Sequence, residues 1–164
     1  MADEIPTEGT PNGSNGAEAD APRVQVIGQY IKDLSFENPG VISGQNAQPQ
    51  IELNVDLQVR QLEQEHFEVE LKLRVSAKAE ERALFLLELV YGGLFRLHNI
   101  PAEVRQQVLL IEAPHVLFPF ARRIVADVVR DGGMPPLMIE PIDFAALYRA
   151  KMAQMQQSGA PAQA

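Results

Sequence analysis

The chain of 164 residues has no cysteine and no tryptophan. Without thiols it can form neither a disulfide nor a thiolate-held metal site, which suits a reducing compartment. No uninterrupted apolar run approaches the roughly 20 residues that a membrane helix requires. The N-terminal stretch "MADEIPTEGTPNGSNGAEADAP" lacks the basic start and following apolar segment of a secretory signal. A soluble cytoplasmic protein is therefore expected, with no segment inserted in a membrane. Basic residues are scarce as well. The formal net charge is -8, and residues 1–22 hold five acids (Asp3, Glu4, Glu8, Glu18, Asp20) without a single Lys or Arg, leaving -3 for the remainder. Phosphate neutralisation supplies most nucleic-acid affinity, so an acidic chain without a basic stripe is not expected to bind nucleic acid.

What is present sorts into three parts. Residues 1–22 combine Gly, Pro, Asn and acids with no apolar period and are expected to form a disordered acidic tail. Residues 23–152 form the folded domain, and 153–164 ("AQMQQSGAPAQA") a flexible C-terminal tail. A body of about 130 residues can bury about two-thirds of its chain surface, enough for a core that needs neither metal nor disulfide.

Alternation dominates the first half of that body. "VQVIGQYIKDLSFE" sets Val24, Val26, Tyr30, Leu34 and Phe36 on one strand face, with Ile27 and Ile31 interrupting the polar face. A thirteen-residue loop, "NPGVISGQNAQPQ", follows, too long for a tight hairpin. "IELNVDLQVRQ" and "HFEVELKLRVSAKA" alternate strictly, the pattern of an antiparallel pair with one wet face. "ALFLLELVYGGLFRL" is apolar on both parities except for Glu88, so it is either a central strand covered on both faces or one covered by another chain. Gly92-Gly93 suggests a bulge or bend within it.

The second half reads as helices. Pro101 opens one, with Val104, Val108 and Ile111 as its apolar positions. Pro119 is expected to start a second that Gly132 ends, and Asp143 to cap a third carrying Phe144, Leu147, Tyr148 and Met152. Strands followed by helices predict an α+β fold, with helices laid on one face of one antiparallel sheet. At about 100° per residue, the helix after Pro119 is apolar over roughly 240° of its circumference, well beyond the stripe of a surface helix. It is either central in a monomer or lies between the sheet and another subunit. Phe120, Ile124, Val125 and Val128 are the candidate subunit contacts.

Chemistry is hard to find. His66, His98 and His115 stand alone, without the i, i+4 spacing of metal ligands. No serine lies in a G-x-S-x-G turn, and the glycine pairs lack the lysine of a phosphate loop. A non-enzymatic protein is expected, with no catalytic residue, metal or cofactor. Apolar residues, among them Met and aromatics (Phe118, Phe120, Met134, Leu137, Met138, Ile139, Phe144), instead gather around Pro- and Gly-rich segments, which fits either plain core packing or adaptable apolar recognition.

Four segments, "YIKDLSFENP", "LELVYGGLF", "LFPFAR" and "MPPLMIEPIDFAALY", occur in the order and near the spacing that mark SecB, the bacterial protein-export chaperone. The chain resembles that family over about residues 24–155. The resemblance implies a four-stranded antiparallel sheet with helices packed on one face in each subunit, a homotetramer built as a dimer of dimers, and an ATP-independent holdase. Such a protein keeps unfolded precursor polypeptides translocation-competent and delivers them to the SecA motor. It further implies a client groove walled by Ile51, Leu53 and Val55 and by Phe144, Leu147 and Tyr148, and a SecA-docking patch of Asp33, Glu37, Leu86 and Glu88. Two other roles stay open at this point: a SecB-like chaperone dedicated to one partner, such as a toxin–antitoxin pair, and a small-ligand carrier.

Overall fold

A computed structural model describes residues 20–39 and 48–159. Residues 1–19 of the expected tail at 1–22, most of the loop at 38–50 and the end of the segment at 153–164 lie outside the described residues. Four strands, β1 (Arg23–Glu37), β2 (Gln50–Gln61), β3 (His66–Ala79) and β4 (Arg82–His98), form one antiparallel sheet in the order β1-β4-β3-β2. Three helices follow: α1 (Ala102–Gln107), α2 (Ala113–Asp131) and α3 (Phe144–Ser158).

The alternation in β3 becomes a core face of Phe67, Val69, Leu71, Leu73, Val75 and Ala77, all buried. Burying each such Val or Leu contributes about 1.5–3 kcal/mol. The doubly apolar strand is β4, and it is central, flanked by β1 and β3. Its Phe85, Leu87, Leu89, Tyr91, Phe95 and Leu97 pack under the helices in the same core as Leu117, Ala121, Val125 and Val129 of α2. Its opposite face, with Leu86, Glu88, Val90 and Leu94, stays half-buried.

Three expectations are corrected. First, Gly92 and Gly93 mark no bulge, since β4 keeps its register with β3 through both. They are points of close approach. A side chain at Gly93 would meet the Leu117 methyl at 2.6 Å, and one at Gly92 the Tyr30 ring at 2.7 Å. The bulges lie on β1 instead, at Ile27 and Lys32. They turn Tyr30 away from the face that Val24, Val26, Leu34 and Phe36 share.

Second, Pro119 does not begin a helix but lies inside α2. The helical path runs from Ala102 to Asp131, with a π turn at Val108–Glu112. Pro119 and His115 are both exposed, so the carbonyl that the proline leaves without a donor faces water. Leu117 and Phe118 on the other side are buried and hold the helix to the sheet. Third, Val104 is exposed and α1 buries nothing; Leu109, in the π turn, makes the core contact.

Asp143 caps α3 as expected, its carboxylate accepting from the Ala146 amide at 2.8 Å. α3 runs to Ser158, six residues past the expected end of the folded domain. Among the described residues no helix is long and apolar enough to cross a membrane.

Candidate functional site: two grooves and a helix-free sheet face

The structure separates the expected groove residues by depth. Between edge strand β2 and α3 runs a groove of about 270 Å³, lined by Val55, Leu57, Leu110, Leu147, Tyr148 and the Lys151 stem. Of the residues expected there, Val55, Leu147 and Tyr148 line it. Ile51 lines a separate, more apolar cavity of about 400 Å³, with Leu84, Phe85, Met134 and Leu137. Leu53 packs against the core from β2, half-buried. Phe144 is not on the surface at all. It is fully buried, its ring edge-on to Phe118 at 6.0 Å and to His115 at 5.1 Å. An aromatic at the first position of a capped helix reads equally as groove wall or as anchor. Here the ring lies inward against Phe118 and His115, so Phe144 pins α3.

The α2 positions divide likewise. Phe120 is 49% exposed, whereas Ile124 and Val128 are half-buried. Val125 is fully buried against the sheet and belongs to the core of its own chain, so it presents no surface to a second subunit. Phe120 stacks on Tyr91 with centroids 6.4 Å apart, and both line a shallow cavity with Ile31 and Ile124.

On the helix-free face, Asp33 lies opposite Val90, Ser35 opposite Glu88 and Glu37 opposite Leu86. Paired residues project to the same side of a sheet, so Asp33, Glu37, Leu86 and Glu88 share one patch. Asp33 and Glu37 have no ion-pair partner among the described residues, while Glu88 is held by Arg74 at 2.9 Å. A cavity of about 250 Å³ here is lined by Asp33, Asn54, Asp56, Lys72, Arg74 and Glu88. The cations temper a surface that the acids alone would make strongly negative.

Beside this patch lies a feature that sequence reading missed. Glu68 is only 4% exposed although it is on the helix-free face. It accepts from the Tyr30 hydroxyl, from Lys32 Nζ at 3.1 Å and from Arg60 Nη2 at 2.7 Å, and Lys32 also pairs with Glu70. The tie runs from β1 across β4 to β3 and on to β2. The Tyr30 hydrogen bond, then those of Lys32 and Arg60, hold the Glu68 carboxyl below the usual carboxylate range against the opposing effect of burial. Burial first, then the Glu68 hydrogen bond, pushes the Tyr30 hydroxyl up. Nothing in the sequence distinguishes Glu68 from the other charges on an alternating wet face.

The chain thus combines an open antiparallel sheet with helices on one side, apolar grooves at its edge and a charged opposite face. Comparison with known proteins is more specific. A family model described as "Preprotein translocase subunit SecB" matches residues 17–155. The Protein-export protein SecB of Zymomonas mobilis is 52% identical over 145 residues, covering 87% of this chain and 88% of its relative. That of Parvibaculum lavamentivorans is 46% identical over 162 residues, covering 94% and 96%. Among solved structures, a SecB-like chaperone of Mycobacterium tuberculosis, in complex with a ChAD peptide from the HigA1 antitoxin, superposes with a TM-score of 0.64. It is 17% identical and covers 77% of this chain and 96% of that one. The chain belongs to the SecB family.

Proposed function

We propose that this protein is a preprotein-export chaperone, an ATP-independent holdase of the cytoplasm. It binds unfolded precursors on the helix side of the sheet and docks on SecA through the helix-free face. The observation that carries the reading is the division of labour across one sheet. Apolar grooves formed by β2, α3 and the 134–137 connector lie on one side, and the Asp33, Glu37, Leu86 and Glu88 patch on the other. Broad apolar walls suit clients that share exposed hydrophobic side chains and no common sequence. A carboxylate patch suits a basic segment of a motor protein, because charge complementarity sets encounter and register.

Ile51, Val55, Leu147 and Tyr148 supply the client contacts. Leu53 and Phe144 support those walls from behind. Phe120, with Ile124 and Val128, forms the contact between subunits in a homotetramer, a dimer of dimers. No step of the cycle requires the chain to perform covalent chemistry.

Titration with an unfolded precursor and with SecA, followed by native mass, tests the reading. Expected are a species near four times 18.1 kDa, its complex with precursor, and slowed precursor refolding without nucleotide. Unchanged refolding at stoichiometric chaperone defeats it.

A further inference from the structure

β1 contains a contradiction that its alternation does not resolve. Val26, Tyr30 and Phe36 all have even numbers, so an unbroken strand would put them on one face. In the structure Val26 pairs with Phe95 and Phe36 with Leu87, both on the helix side, while Tyr30 pairs with Gly92 on the helix-free side. Two reversals need two extra residues, and these are the bulges at Ile27 and Lys32. Phe36 is anchored against Phe85, ring centroids 5.8 Å apart. Tyr30 is anchored on the opposite face, its ring over Gly92, where no side chain fits, and its hydroxyl on Glu68. Lys32, the second bulged residue, ends on Glu68 and Glu70 of β3.

We propose that the tie of Tyr30 and Lys32 to Glu68 is a register lock on β1. In its absence β1 adopts the unbulged register that its alternation favours. That register keeps Phe36 opposite Leu87 and moves the strand's first half two residues along β4. Gln25 then faces His98 in place of Arg96.

The consequence lies at the α2 surface. In the locked register Ile31 pairs with Tyr91 and lines the cavity with Phe120 and Ile124. In the unlocked register Tyr30 and Lys32 turn to the helix side, and Ile31 turns away. A shift of parity exchanges every side chain between faces, so the apolar patch would lose an isoleucine and gain a charge. Tyr30, Lys32 and Glu68 are thus positioning residues for the surface that a second copy covers. This last step alone rests on the proposed oligomer.

Because the chain has no cysteine, paired cysteines report the register directly. In the otherwise unchanged protein, Gln25→Cys with Arg96→Cys should form a disulfide, and Gln25→Cys with His98→Cys should not. Adding Glu68→Gln with Lys32→Met should shift the ratio of the two disulfides at least tenfold toward the second pair. Tyr30→Phe, which keeps the ring over Gly92 and removes only the hydroxyl, should shift it in the same direction less far, and serves if the double variant does not fold. A ratio unchanged in a folded variant overturns the lock. Native mass supplies the other arm: the unlocked variant should populate smaller species. A wild-type protein that is itself monomeric refutes the oligomer reading, while the disulfide ratio still decides the lock.

Discussion

Phe118 and Phe144 meet edge to face, ring centroids 6.0 Å apart, and this contact fixes α3 to the N-terminal half of α2. Phe144 is fully buried while Leu147, less than one turn later, is 37% exposed. The two should therefore respond differently to substitution. Phe144→Ala should cost about 3–5 kcal/mol, read from the urea midpoint. Leu147→Ser should change stability by less than about 1 kcal/mol yet weaken binding of an unfolded precursor. Equal effects of the two on stability would remove the distinction between anchor and groove wall.

Glu68 gives the protein an acid-sensitive component of stability. Its carboxyl is held below its ordinary value in the folded chain, first by Tyr30 and then by Lys32 and Arg60, with Glu70 beside the same lysine. A depressed carboxylate contributes fully above its unfolded value, about 4.3, and the contribution is lost as pH falls through the folded value. Glu68→Gln should cost about 1–3 kcal/mol at pH 7. The gap between wild type and variant should narrow as pH falls below about 4, measured by denaturant titration across pH.

The Arg74–Glu88 pair predicts an unusual gain. Removing the guanidinium leaves Glu88 to a basic partner, so Arg74→Ala should bind SecA several-fold more tightly at low salt. Its salt dependence should also be steeper than that of wild type. Glu88→Lys and Asp33→Lys should each weaken docking by at least tenfold with precursor binding unchanged. Calorimetric titration at two ionic strengths separates these outcomes.

Phe120 is the most exposed aromatic of α2 that also stacks on the sheet, through Tyr91. Phe120→Ser should lower the native mass while leaving the monomer's fold intact by circular dichroism. Val125→Ser, inside the core, should instead unfold the chain.

Much of the sheet was legible because β2 and β3 alternate strictly and β4 is apolar on both parities, which is what a central strand requires. β1 defeated the same rule. Its alternation names one face, and the bulges that reverse it are held by Glu68, more than thirty positions away, and by Gly92, more than sixty. Local periodicity cannot register a partner so distant. Pro119 misled for a related reason: a proline on the exposed side of a well-packed helix is cheaper than a helix break, and only tertiary burial shows which side that is. Phe144 and Val125 lie on the faces expected of them, but a helical face that is apolar does not by itself reveal whether its neighbour is the sheet, a groove or another chain. The acidic patch was recognisable through family resemblance, whereas Arg74 within it required the cross-strand register.

The groove beneath α3 and the cavity beside Asp33 lie on opposite sides of the sheet, yet Val55 and Asp56 line both. The wall between them is one strand thick. A ligand that tilts or straightens this part of β2 alters the shape offered on the other side without any relay through the core. Coupling of this kind is reciprocal: whatever a load on one side does to affinity on the other, the second occupant does to the first in equal measure.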